Sequence, residues 1–168
     1  MRPLDKLGEV NATYWSLTGF LAAAACALRM AGPQSDAAGK RFDPPPAGQG
    51  AIYIYREGKT YLDQTSRFRM FVQPVKGERR RLGVLDEITW LRVDLPPGNY
   101  DAGCEGGDKG HHSQEYVVLE AGEFAFVKIG VYPGRWVVNC QTFSVPAAVG
   151  REEVLRGKRV QELPPRTQ

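Results

Sequence analysis

The sequence predicts a mainly β protein, a single β-sandwich of about seven or eight short antiparallel strands with one short C-terminal helix. Apolar and polar residues alternate with period two from residue 50 onward, and Gly- or Pro-containing turn signals recur about every 8 to 12 residues. A helical pattern is legible in one segment only, 147–156, which begins just after Pro146 and stops at Gly157.

Residues 51–56 (AIYIYR) open the domain as a run of aromatic and branched side chains closed by Glu57-Gly58. Residues 69–75 follow, and Pro74, which cannot donate to a ladder, predicts an edge strand there. Strands are expected next over 79–85, 88–95 and 99–105. In 88–95, Leu91, Val93 and Leu95 fall on one face and Trp90, Arg92 and Asp94 on the other. Residues 114–119 and 123–131 read as a hairpin through Glu120-Ala121-Gly122, and 135–143 adds a strand after Tyr132-Pro133-Gly134. In the helix, Ala147, Ala148, Val154 and Leu155 are expected on the buried side.

The 168 residues hold 22 basic and 19 acidic side chains, 42% hydrophobic and 24% charged overall, which excludes a disordered chain and a polytopic membrane protein. A net charge of +3 is too small to point to nucleic acid, and no nucleic-acid partner is expected. The 19 glycines and 12 prolines concentrate in the turns and in residues 27–49.

Residues 14–28 form a long uncharged stretch, with Glu9 before it and Arg29 after it. At about 15 residues it is shorter than the roughly 20 of a membrane span but suits the apolar core of a secretory signal. Arg2 and Lys6 precede it, with Asp5 and Glu9 diluting their charge. Ala23-Ala24-Ala25-Cys26 resembles the lipobox of bacterial lipoproteins, in which the cysteine is acylated and becomes the mature N-terminus. Ala23 stands where Leu is usual, and cleavage at a small-x-small site or an uncleaved anchor are the alternatives. The expected organisation is a signal over 1–25, a lipidated Cys26 with a flexible Pro/Gly-rich tether over 26–49, the sandwich over 50–160 and a loose tail over 161–168. A flexible tether of about 23 residues would hold its ends roughly 25 Å apart.

Cys104 and Cys140 remain once Cys26 is set aside, and in an exported domain they are candidates for one disulfide, worth about 3 to 4 kcal/mol by loop entropy. Two buried free thiols are the alternative.

Several stretches together resemble a bacterial domain family of unknown function, the one numbered twenty-eight forty-six, whose members are often lipoproteins. They are 50–56 after a proline-rich lead, Leu82-Gly83-Val84-Leu85, the Pro-Gly turn in 93–100, the strand 118–127, and Glu152-Glu153 with Leu155. The resemblance spans about residues 47–160 and implies a small envelope β-domain, similar in plan to carbohydrate-module-like sandwiches. It implies no reaction. The segment 105–112 and the two cysteines depart from it.

The segment from Cys104 to Glu115 contains the only two histidines, His111 and His112, and these groups are metal ligands or an activated Cys-His pair in other proteins. Adjacent histidines on a strand point to opposite faces, however, and no second ligand pair follows at zinc-like spacing, so no metal or cofactor is expected. Arg67, Arg69, Lys76, Arg79, Arg80 and Arg81 gather positive charge, either as a patch for anionic headgroups or wall polymers or as the charged guard of an edge strand. Phe68 and Phe71 among them fit core alternation. Trp90, Trp136, Tyr53, Tyr55 and Tyr132 would form a sugar platform only if they shared an outer face. No catalytic residue is assigned.

The sequence therefore reads as an envelope lipoprotein facing the periplasm, with a non-catalytic binding or structural module tethered to the membrane, and with envelope proteins, lipid headgroups or wall polymers as partners. Ala27, in place of the aspartate that resembles an inner-membrane retention signal, points to the outer membrane. The alternatives are an envelope hydrolase or metal-dependent enzyme built on Cys104 to Glu115, and an accessory subunit of a secretion or surface assembly.

Overall fold

A computed structural model describes residues 29–58, 61, 66–106, 111–135 and 137–164. Within them the order is α1 (Pro33–Lys40), β1 (Gly50–Arg56), β2 (Phe68–Pro74), β3 (Arg80–Leu85), β4 (Thr89–Leu95), β5 (Gly98–Glu105), β6 (His112–Leu119), β7 (Phe124–Pro133), β8 (Val138–Ser144), α2 (Ala147–Arg156) and β9 (Lys158–Arg159). The strands form a five-stranded sheet, β8-β7-β1-β4-β9, and a four-stranded sheet, β3-β2-β5-β6. Their inner faces enclose one core, with Ile52, Ile54, Leu91 and Val93 from the first sheet meeting Met70, Val72, Leu82 and Ala102 from the second. This is the expected sandwich with its C-terminal helix.

A second core lies on the other face of the five-stranded sheet. β1 is buried along its whole length because Ile52 and Ile54 face the sandwich while Ala51, Tyr53 and Tyr55 face a separate cluster with Trp90, Phe126 and Val154. Alternation in β1 therefore separates two apolar environments rather than core from water.

The strands are not all antiparallel. β1 pairs with β7 in parallel, as does β4 with β9, and the excursion of the chain through the second sheet supplies the crossover that a parallel β1–β7 pair needs. β2 is interior rather than an edge. Its Pro74 is tolerated because pairing with β3 extends only to Val72, so no strand lies on that side where an N–H is missing.

The flexible tether expected up to residue 49 is, from residue 30 onward, part of the fold. Met30 bridges Val160, α1 begins with Pro33 at its first turn, and the Asp36 carboxylate accepts the Arg159 backbone N–H at 2.6 Å. α1 lies against Trp90 through Gly39, where any Cβ would collide with the indole. Phe42, at φ 54°, ends the helix in the left-handed region and packs on Tyr53 with ring centroids 5.3 Å apart. The small residues of α1 left no apolar periodicity to read; the bulk that fixes the helix comes from the sheet beneath it.

The tail is likewise anchored as far as it is described. Gln161 N–H donates to Arg29, Leu163 N–H to Leu82, and Glu162 pairs with Arg80. In α2 the buried stripe is Gly150 and Val154, with Gly150 against the Phe126 ring, whereas Ala147, Ala148 and Leu155 are exposed. Cys26 and the signal segment lie outside the described residues.

Candidate functional site

Cys104 on β5 and Cys140 on β8 are joined by a disulfide, with Cα atoms 6.4 Å apart, and the bond ties one sheet to the other. Its neighbours have structural partners. His111 donates from Nε2 to the Cys140 carbonyl at 2.7 Å, so that nitrogen carries the proton, and its ring meets Tyr132 edge-on. Ser113 Oγ accepts the Thr142 backbone N–H at 3.0 Å. These side chains of β6 and its approach satisfy backbone groups of the edge strand β8 and close that side of the sandwich. His112 sits on the exposed side of β6, away from His111. The Cys104 sulfur is committed to the bridge, so the segment offers no thiolate to pair with a histidine. Among the described residues no three His, Cys, Asp or Glu side chains come together as a metal-ligand set.

The basic cluster is divided by its partners. Arg67 pairs with Asp86 at 2.8 Å, Arg80 with Glu162, and Arg79 with Glu105 while stacking 3.9 Å above the Phe71 ring. Phe71 is fully buried although it faces outward, because Arg79 covers it and the space over Gly103 receives its edge. Phe68, by contrast, is in the sandwich core, as its alternation predicts. Arg69, Lys76 and Arg81 are exposed and have no carboxylate partner among the described residues.

The aromatic platform does not form. Trp90, Tyr53 and Tyr55 are buried beneath the helices, and Trp136 lies outside the described residues. Tyr53 donates to the Gly39 carbonyl at 3.0 Å, and burial raises its phenol pKa despite the opposing charge of Arg92. Arg92 itself donates to Asp94 at 2.8 Å and to the Asp43 carbonyl at 2.9 Å. Arg151, from α2, lies 4.9 Å from the Phe42 ring and 5.0 Å from Phe124, closing the cluster from outside.

One polar network, not apparent in the sequence, sits under α2. Tyr55 donates to the Glu153 carboxylate, and the Lys128 ammonium bridges Glu57 and Glu153. Burial, with Glu153 adding to it, raises the Tyr55 phenol far above its ordinary range. Burial alone would lower Lys128, but its bonds to the two carboxylates outweigh that and hold it above its usual value. At neutral pH the tyrosine keeps its proton and the lysine its charge, so the network acts as a clamp from α2 to β1 and β7.

Among the described residues, no helix packs on the outer face of the four-stranded sheet. Tyr116 and Val118 of β6 are 57% and 59% exposed, opposite Asp101 and Asn99 of β5, with Gln114 on the same side of the strand. Arg69 and Arg81 stand on the β2–β3 side of the face. Beyond Asn99, a depression of about 330 Å³ is lined by Pro74, Val75, Lys76, Pro97 and Tyr100. Aromatic, amide and cationic groups spread over a rigid sheet can bind an extended or flat partner by contact and hydrogen bonding. Tyr116 to Leu119 is apolar at every position, so which of its faces is buried could not be read from alternation.

Comparison with protein-family models, curated proteins and solved structures finds no match for this chain.

Proposed function

We propose that this chain is a bacterial envelope lipoprotein, acylated at Cys26, whose sandwich acts as a non-catalytic binding or structural module through the open face of its four-stranded sheet. The observation that carries the reading is the Cys104–Cys140 bridge, because persistent disulfides belong to exported proteins. The apolar stretch 14–28 before Cys26 and the resemblance to a lipoprotein-associated domain family support the same address. A periplasm-facing position at the outer membrane follows from Ala27 after the anchor, and envelope proteins, lipid headgroups or wall polymers are the partner classes.

The pair of exposed apolar side chains, Tyr116 and Val118, also favours a second reading, an accessory subunit that docks a protein on this face. Intact mass analysis of the mature protein from a bacterial envelope, beside a Cys26→Ser variant, tests the anchor. The expected result is an N-terminal Cys26 carrying acyl mass, with the variant losing it and its membrane retention. A mature chain without acyl mass, or a variant that stays equally membrane-bound, overturns the reading.

A further inference from the structure

If Cys26 is the anchor, the distance between anchor and domain is set by where the fold begins. Two residues, Ala27 and Leu28, separate Cys26 from Arg29, and the three steps from one to the other, at about 3.3 to 3.6 Å each, reach roughly 10 Å. No slack follows. The Arg29 carbonyl accepts the Gln161 N–H at 2.7 Å, Ala31 N–H donates to Arg159 at 2.9 Å, and α1 is seated on Trp90 and held by Asp36. The edge formed by residues 29–31 and 158–162 must therefore stay near the bilayer surface, whereas a tether of 23 residues would have let the domain turn freely.

That edge is basic. Arg29 and Lys158 are exposed on it, and Arg81 adjoins it on β3, next to Leu82, whose carbonyl receives the N–H of Leu163. None of these three has a carboxylate partner among the described residues, while of the acidic groups at the same edge Glu162 is taken by Arg80 and Asp36 by Lys40 and the Arg159 N–H. Met30 adds a side chain 44% exposed.

We propose that Arg29, Arg81 and Lys158 form a membrane-apposed edge that binds the phosphates of anionic lipid headgroups, so that the domain lies against the bilayer in one orientation. The proposal rests on the anchor reading. It turns the opposite edge of the five-stranded sheet, β8, away from the membrane; four strand spacings of about 4.8 Å put it roughly 19 Å farther off.

The test uses the full acylated protein in vesicles of phosphatidylcholine with and without phosphatidylglycerol. Single fluorophores are attached at Gln161→Cys, on the proposed edge, or at Gln141→Cys, exposed on β8. Quenching by headgroup-labelled lipid is then measured. In anionic vesicles the label at 161 is expected to be quenched well above that at 141. Neutral vesicles, or salt raised to about 1 M, which shortens the screening length to about 3 Å, should shrink the difference to the remainder that the short link alone imposes.

Each cation near such a surface is worth about a fivefold change in the docked-to-free ratio, so replacing Arg29, Arg81 and Lys158 with Gln should lower it on the order of a hundredfold. Equal quenching at both positions in anionic vesicles overturns the proposal while leaving the anchor intact, as does a difference that the triple substitution leaves undiminished. Absence of acyl mass on the same sample overturns the anchor reading itself, and the proposal with it.

Discussion

The two outer faces of this sandwich are built from similar strands and have opposite fates. On the five-stranded sheet, α1 and α2 cover Tyr53, Tyr55, Trp90 and Phe126 and make a second core. On the four-stranded sheet Tyr116 and Val118 remain in solvent, and a large buried outward side chain, Phe71, is sheltered by a single arginine. The difference teaches that burial here depends on which face the segments flanking the strands fold back upon. Local composition does not decide it, since aromatic residues occur on both faces. Stability is thus concentrated on one side, and the other is left available for contact.

The sharpest way to break this comparison is at the covered face. Trp90→Ala should cost about 3 to 5 kcal/mol, by loss of a fully buried indole and the cavity it leaves, as measured by urea unfolding. Gly39→Val tests the same contact from the helix side. It should cost about 1 to 3 kcal/mol by overpacking against that indole, and an unchanged midpoint would mean that α1 is not seated there.

A smaller effect is expected at the clamp beneath α2. Lys128→Met leaves Glu57 and Glu153 without their shared cation and should destabilise by about 2 kcal/mol. The sign of its pH dependence follows from the raised pKa of Lys128. Its contribution is fully present below the ordinary lysine value of 10.5 and is lost as pH rises through the higher folded value. The gap between wild type and variant should therefore be constant from pH 7 to about 10 and narrow above it, which stability curves across that range will check.

The smallest effect belongs to the open face. Tyr116→Ser and Val118→Ser should each change stability by no more than about 0.5 kcal/mol. If thermal unfolding shows a loss comparable to that at Trp90, the face is structural and the contrast between the two sides fails.

Much of the fold was legible because it rests on local signals. Alternation in 88–95 separated Leu91, Val93 and Leu95 from Trp90 and Arg92, and both groups behave as two faces do, although both are buried. Pro146 and Gly157 bounded α2 correctly. The basic cluster was visible as charge, but its division was not, since Asp86, Glu105 and Glu162 reach Arg67, Arg79 and Arg80 only through the folded topology. His111 looked like chemistry because histidine is rare here; its partner, the Cys140 carbonyl, is 29 residues away. The open face was missed because Tyr116 to Leu119 carries no polar residue to mark the wet side.

By itself the sequence determined the strand-rich class, the turns, the short helix near the C-terminus and the pairing of its last two cysteines as candidates, because each depends on backbone preference or residue chemistry close in the chain. Only the tertiary structure decided that residues 30–49 are packed rather than slack, that β1 is buried on both sides and parallel to β7, and which cations remain unpaired. Those outcomes depend on contacts between segments far apart in sequence, such as Gly39 with Trp90 and Arg29 with Gln161. A glycine gives no local sign that an indole from another element will fill the space above it.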